Sequence, residues 1–122
     1  MLESGDELAF ARPGTSPDVV RKLRRGRWAV QAEIDLHGLG RHAAHDALRE
    51  FIAASAARGL RCVRVIHGKG RGSGAQGPVI KRIVDHWLRR MAPVAAFVSA
   101  RPVDGGTGAV YVLLTGIQER RR

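Results

Sequence analysis

The sequence is poor in cysteine and in long apolar runs, and each shortage excludes a class of protein. Its one cysteine, Cys62, rules out an intramolecular disulfide and a multi-cysteine zinc site. No apolar stretch reaches the roughly 18 residues that a membrane-spanning helix needs. The start, MLESGDELAF, is acidic and lacks the apolar core of a signal peptide. A cytoplasmic protein is therefore expected.

Acidic residues are also scarce, with 11 Asp and Glu against 21 Lys and Arg, which gives a formal net charge of +10. Such an excess predicts a polyanionic partner, because Lys and Arg that neutralise phosphates release condensed counterions. A basic surface that serves solubility alone, or contact with an acidic membrane surface, is the alternative. We expect nucleic acid as the partner and no membrane. At 122 residues the chain fits one domain.

The first thirty residues differ from the rest and are predicted to form a basic, partly flexible arm. They contain two prolines before Asp18 and no sustained period, apart from one or two helical turns that Gly26 would end. Trp28 is available for stacking, so the arm is a candidate contact with nucleic acid or a ribosome, the alternative being a solvated basic segment. The candidate contact residues are Arg21, Lys22, Arg24, Arg25 and Arg27.

From residue 31 the pattern becomes regular and predicts one α/β domain over residues 31–117, with a frayed tail at 118–122. Two helices and four strands imply two layers, with the helices on one face of a mixed sheet and the other face more open. The first two strands should be parallel and the last two antiparallel. The predicted order is β-α-β-α-β-β, over residues 32–37, 41–58, 62–67, 78–91, 95–100 and 108–115.

Polar side chains gather at the ends of the first two predicted strands. Asp35 and His37 are two residues apart and hence on one face, and His67 ends the next strand. Parallel neighbours would bring both histidines to the edge where open α/β sheets bind ligands. Histidine serves as acid and base near neutral pH, so this set suits a nuclease. Simple pairing of Asp35 with an arginine is the alternative.

The stretch HGKGRGSGAQGP, residues 67–78, holds five glycines beside Lys69 and Arg71. Its backbone N–H groups and the following helix could hold a phosphate. It lacks the spacing of a Walker A loop. An ordinary flexible connection is the alternative. The remaining histidines, His42, His45 and His86, are interpreted as surface or structural residues.

Together, IDLHG (34–38), VIHGKG (65–70) and GGTGAVYVLL (105–114) resemble a Smr domain, the small MutS-related domain. FARPG and the basic stretch before IDLHG are similar to the bacterial stand-alone Smr proteins. The resemblance implies a fold similar to the C-terminal domain of translation initiation factor three, and endonuclease activity on RNA or DNA. In one branch of the stand-alone proteins the target is mRNA on collided ribosomes.

The resemblance also implies which residues carry the activity. Asp35 and His37 match the residues that the family ties most directly to cleavage, and His67 opens the second motif. The matching glycines before the last strand are expected to line the same edge. The candidate phosphate-binding residues are Gly68, Lys69, Gly70, Arg71, Gly105 and Gly106.

The sequence thus predicts an RNA endonuclease in which one of His37 and His67 deprotonates the ribose 2′-hydroxyl and the other protonates the leaving oxygen. No cofactor is assigned. A divalent ion held by Asp35, His37 and His67 is an alternative mechanism. A DNA-nicking enzyme and a non-catalytic nucleic-acid-binding module are the alternative functions.

Overall fold

The computed structural model describes residues 6–69 and 79–115 of the chain. In these ranges the chain forms five strands and three helices, with two short 3-10 turns before the last strand at Pro102–Asp104 and Gly106–Gly108. The strands are β1 (Ala9–Ala11), β2 (Glu33–Asp35), β3 (Cys62–Ile66), β4 (Val94–Ser99) and β5 (Ala109–Leu114). The helices are α1 (Pro17–Arg24), α2 (Arg41–Ala57) and α3 (Val79–Leu88).

All five strands belong to one mixed sheet with the order β1-β4-β5-β3-β2. β2 and β3 are parallel, and the register pairs Glu33 with Arg64 and Asp35 with Ile66. β5 runs antiparallel to both of its neighbours, β3 and β4. The α/β class, the parallel first pair and the antiparallel last pair are therefore confirmed.

The predicted count of four strands is wrong, because residues 9–11 add a fifth. β1 pairs antiparallel with β4 at the edge of the sheet, and the ring of Phe10 lies 5.4 Å from that of Phe97. The guanidinium of Arg12 donates hydrogen bonds to the carbonyls of Val94 and Met91, at 2.9 and 3.0 Å. This part of the predicted arm is fixed to the domain by pairing with distant residues, which a three-residue strand does not reveal in sequence.

The predicted two layers are also wrong, because α1 covers the second face of the sheet. Ser16 caps this helix by accepting a hydrogen bond from the backbone N–H of Asp18 at 3.1 Å. Leu23 is 1% exposed and packs against β4 and β5. Trp28, predicted to be available for stacking, packs partly against the same cluster. The arm thus covers the part of this face formed by β1, β4 and β5, although the face was expected to be more open.

Two hydrophobic clusters hold the three layers together, one on each face of the sheet. The larger lies under α2 and α3 and includes Leu48, Ile52, Val84 and Leu88, which recur every four residues on their helices. The smaller lies under α1 and includes Leu23, Cys62 and Tyr111. Burial raises the pKa of the Cys62 thiol to about 11, so the thiol stays protonated and packs as a small hydrophobe.

None of the helices in the described ranges is long and apolar enough to cross a bilayer.

Candidate functional site

Asp35 and His37 form a hydrogen-bonded pair at the C-terminal end of β2. Asp35 Oδ1 lies 2.6 Å from His37 Nδ1 and also accepts the backbone N–H of His37 at 3.0 Å. Because an ionised carboxylate only accepts, Nδ1 must carry the proton and Nε2 is left as the basic nitrogen. Both side chains are exposed, with 68% of His37 and 49% of Asp35 accessible. The pair can therefore meet a large substrate.

The carboxyl of Asp35 stays ionised despite its contact with the fold. Partial burial raises its pKa, but the hydrogen bonds from the ring and the backbone of His37 outweigh that effect. The net pKa of Asp35 is lowered. The carboxylate at Nδ1 fixes the orientation of the ring and leaves Nε2 as the nitrogen that can accept a proton. This is the arrangement that a general base requires.

His67 lies at the same end of the sheet but on its other face. Val63 and Val65 alternate with Arg64 and Ile66 along β3, and His67 continues the buried side. Its ring is 3% exposed, and Nδ1 lies 2.7 Å from the carbonyl oxygen of Gly68. Nε2 is buried without a hydrogen-bond partner among the described residues. Both histidines thus follow the same end of the sheet, as expected, but only His37 has an exposed side chain.

Burial decides the protonation of His67. Desolvation lowers its pKa to about 4, and the nearby charge of Lys81 adds to this, while the hydrogen bond to Gly68 opposes it. His67 is therefore neutral at physiological pH. A neutral, enclosed imidazole is poorly suited to protonating a leaving group on a bulky substrate.

Two glycine turns meet behind His37. The backbone N–H groups of His67 and Gly68 both donate to the carbonyl of Gly108, each at 2.9 Å. Gly68 has φ of +82°, and a Cβ there would lie 3.1 Å from Cβ of His37. A Cβ on Gly108 would lie 3.1 Å from Cγ of Lys69. Glycine at these positions lets the backbone approach the dyad closely and leaves Lys69 exposed beside it.

Of the other predicted phosphate-binding residues, the structure describes Gly105 and Gly106 but not Gly70 and Arg71. Gly105 and Gly106 have positive φ and form the turn that leads to Gly108, but Gly108 makes the contact with Lys69. Gly108 is one of the matching glycines before the last strand that were expected to line this edge. Gly70 and Arg71 lie outside the described residues, so their role stays a prediction.

The three predicted metal ligands do not form a cluster. Within residues 6–69 and 79–115, no group of three or more His, Cys, Asp or Glu side chains is placed to hold a metal ion. The ring of His67 is buried on the same side of its strand as Val63 and Val65, whereas Asp35 and His37 are exposed. The described residues thus offer a two-residue acid–base pair and no assembled cation site.

Comparison with known proteins bears directly on this arrangement. The family model of the Smr domain matches residues 34–115, which include both histidine motifs and the last glycine turn. The chain belongs to the Smr domain family. The crystal structure of YdaL, a stand-alone small MutS-related protein from Escherichia coli, superposes with a TM-score of 0.80 at 34% identity, over 93% of this chain and 86% of that one. The Smr domain of Thermus thermophilus MutS2 gives 0.61 at 31% identity, over 69% of this chain and 98% of that domain.

Curated Smr relatives carry functional names. The probable DNA endonuclease SmrA of Escherichia coli (strain K12) is 36% identical over 88% of this chain and 57% of its own length. The ribosome rescue factor SmrB of Yersinia pseudotuberculosis serotype O:1b (strain IP 31758) is 32% identical over 93% of this chain and 61% of its own. The chain thus spans about three-fifths of the length of these relatives.

Of the five basic residues that precede the Smr match, two form ion pairs with Asp18 and three do not. Arg21 and Lys22 both contact Asp18, at 3.1 and 3.0 Å. Arg24, Arg25 and Arg27 are exposed and make no ion pair to another described residue. All five were predicted to contact nucleic acid, and that role stays a prediction. The same is true of the predicted domain limits.

Proposed function

We propose that this Smr domain is an endonuclease that cleaves RNA by acid–base chemistry at His37. The observation that carries the proposal is the exposed Asp35–His37 pair, whose side chains meet at 2.6 Å. The names of SmrA and SmrB, a probable DNA endonuclease and a ribosome rescue factor, support a nucleic-acid substrate. The net charge of +10 favours the same class of partner.

In this mechanism Nε2 of His37 takes the proton of a ribose 2′-hydroxyl. The 2′-oxygen then attacks the adjacent phosphorus, and the bond from phosphorus to the 5′-oxygen breaks. The leaving oxygen takes a proton from solvent, because His67 is enclosed and neutral. The products are a 2′,3′-cyclic phosphate and a 5′-hydroxyl. The nucleophile is part of the substrate, so an oriented base supplies much of the rate enhancement.

Asp35 is proposed to orient the imidazole and to stabilise its protonated form. Lys69, with the amides of the glycine turns, is proposed to hold the phosphate and stabilise its developing charge. Lys69 is exposed and lies against Gly108, at the end of the sheet where β2 ends in Asp35. His67 is given no catalytic role and is proposed to hold the turn in place through its contact with the carbonyl of Gly68.

DNA nicking is the second candidate, favoured by the name of SmrA at 36% identity. DNA has no 2′-hydroxyl, so water would be the nucleophile and a divalent ion would be a natural source of it. A ribosome as the docking partner is favoured by the name of SmrB. These alternatives predict different products and different metal dependence.

Cleavage of RNA and DNA oligonucleotides of one sequence, each with and without chelator, tests the proposal. The expected result is RNA cleavage that survives the chelator and yields 2′,3′-cyclic phosphate ends. His37→Ala, shown to be folded, should lose at least about 100-fold in rate and serves as the control for contaminating nuclease. Metal-dependent DNA cleavage with 5′-phosphate ends would establish the second candidate instead. Binding without any cleavage would indicate a non-catalytic module.

A further inference from the structure

A groove of about 420 Å³ lies between the first half of α2 and helix α3. Its volume is within the range of roughly 300–1,000 Å³ that small-ligand sites occupy. Among the described residues, no carboxylate lines it. Its polar and aromatic lining consists of Arg41, His42, His45, Arg82, His86 and Trp87.

Aromatic rings form one wall of this groove. The ring of Trp87 lies 4.2 Å from that of His45, tilted by 37°, and 5.0 Å from that of His86, edge to face. Trp87 also packs against the main hydrophobic cluster, so it is held from behind while part of it faces the groove. A fixed set of aromatic faces is what a nucleobase stacks against.

Two unpaired arginines, Arg41 and Arg82, stand at the groove. Both are exposed, and neither makes an ion pair or side-chain hydrogen bond to another described residue. Arginines elsewhere on these helices do have acidic partners: Arg49 lies 3.8 Å from Asp46, and Arg89 lies 2.9 Å from Asp85. Asp46 lies 3.7 Å from Nδ1 of His45 at the groove, but it does not pair with either of these arginines. The two arginines therefore give the groove a positive potential.

The groove also lies close to the proposed catalytic pair. α2 starts at Arg41, four residues after His37, and four residues of chain span at most about 14 Å. Gly40 caps α2 without a side-chain hydrogen bond, and no acidic residue lies in the first turn. The start of α2 thus adds its partial positive charge to the groove. One strand of nucleic acid can reach both places.

We propose that this groove binds an unpaired nucleotide of the substrate strand beside the cleaved phosphate. The base stacks against the aromatic wall, and Arg41 and Arg82 contact the flanking phosphates. Paired bases in a duplex are not free to enter, so the groove selects single-stranded substrate. The inference rests on the proposed function for its ligand, since it assumes that nucleic acid is the substrate.

The fluorescence of Trp87 can report whether the groove is occupied, because Trp28 is the only other tryptophan in the chain. Trp28→Phe leaves Trp87 as the single indole, and His37→Ala in the same chain prevents cleavage. The probe is an oligouridylate of about 12 nucleotides, within the site sizes of single-strand binders. The expected result is saturable quenching of Trp87 emission. An abasic strand of the same length should bind more weakly and quench little.

The charged half of the proposal is tested by Arg41→Gln and Arg82→Gln together. This double variant should weaken oligonucleotide binding by about 10-fold or more and lower the salt dependence by about two phosphate contacts. Arg49→Gln on the same helix is the matched control and should change affinity less than about twofold. Unchanged Trp87 emission at saturation, or equal affinity of the double variant and the control, would overturn the proposal.

These outcomes are separable from those of the proposed function. If the wild-type protein cleaves RNA but Trp87 does not respond and both arginines are dispensable, the groove proposal fails alone. If Trp87 responds and the arginines matter but no strand is cleaved, the groove stands and the nuclease proposal fails. No binding of the oligouridylate at all would overturn the groove proposal.

Discussion

Two histidines at the same end of the sheet differ in almost every physical property. His37 is 68% exposed and hydrogen-bonded to an ionised carboxylate. His67 is 3% exposed, with a pKa lowered to about 4. The difference arises because one follows β2 on the open side and the other continues the buried face of β3. Residue type and strand position are therefore insufficient to assign a catalytic role without the face of the sheet.

His67, the buried histidine, should dominate the pH dependence of the free energy of unfolding. Its folded-state pKa lies below the usual 6.5, so the unfolded chain binds the proton first as the pH falls. Stability present above pH 6.5 should be lost between there and about pH 4, by about 3 kcal/mol in total. Urea unfolding at several pH values measures this. His67→Asn should flatten the profile in that window, and an equally steep profile would show that His67 is not buried and neutral.

The activity of His37, the exposed histidine, should depend on the carboxylate of Asp35. Asp35→Asn removes the charge that favours the imidazolium and allows the wrong tautomer, so cleavage should fall about 100-fold. Single-turnover cleavage of RNA measures the rate, and thermal unfolding shows whether the fold is intact. Exposed polar pairs add little stability, so a melting temperature within a few degrees of wild type is expected. A rate near wild type would remove Asp35 from the mechanism.

The turn at Gly68, which follows His67 and lies against His37, should tolerate little change. Gly68→Ala places a side chain at φ of +82° and within 3.1 Å of Cβ of His37. We expect a loss of about 1–2 kcal/mol in the free energy of unfolding. Gly38→Ala is the control, since φ there is +84° but, apart from its chain neighbours, no described residue has an atom within 4 Å of the added carbon. Gly68→Ala should reduce cleavage more than Gly38→Ala does; equal effects would mean that contact with His37 is unimportant.

Lys69 should have the smallest effect of the site residues. Lys69→Gln removes one phosphate contact, so affinity for RNA should fall about 10-fold and the salt dependence by about one charge. Lys22→Gln is the matched control, because Lys22 already contacts Asp18 at 3.0 Å. Fluorescence anisotropy over a range of salt concentrations gives both quantities. If Lys22→Gln weakens binding as much as Lys69→Gln does, Lys69 makes no specific phosphate contact.

Much of this arrangement is predictable from local sequence. The spacing of Asp35 and His37 places them on one face, and the structure joins them by a hydrogen bond. Val63, Val65 and His67 alternate along one face of β3, which indicates that His67 is buried. The catalytic role expected for His67 required an exposed ring instead. The burial of His67 was therefore predictable from the two-residue period of the strand, but its catalytic role was predicted without regard to that period.

The rest depends on contacts between residues far apart in the chain. Three residues, Ala9–Ala11, carry too little pattern to predict a strand, and their pairing partner is β4. Val19, Val20 and Leu23 do show a helical stripe, yet nothing local indicates which surface it covers. The groove between α2 and α3 likewise needs both helices in place. Tertiary contacts of this kind are not encoded in a single stretch of sequence.

The central claim is that the exposed histidine performs the chemistry and the buried one does not. Single-turnover cleavage of one RNA by His37→Ala and by His67→Asn, each confirmed to be folded near pH 7, tests it most directly. The account predicts that His37→Ala loses at least about 100-fold, while His67→Asn stays within about 10-fold of wild type. Full activity in His37→Ala, or equal losses in the two variants, would contradict it.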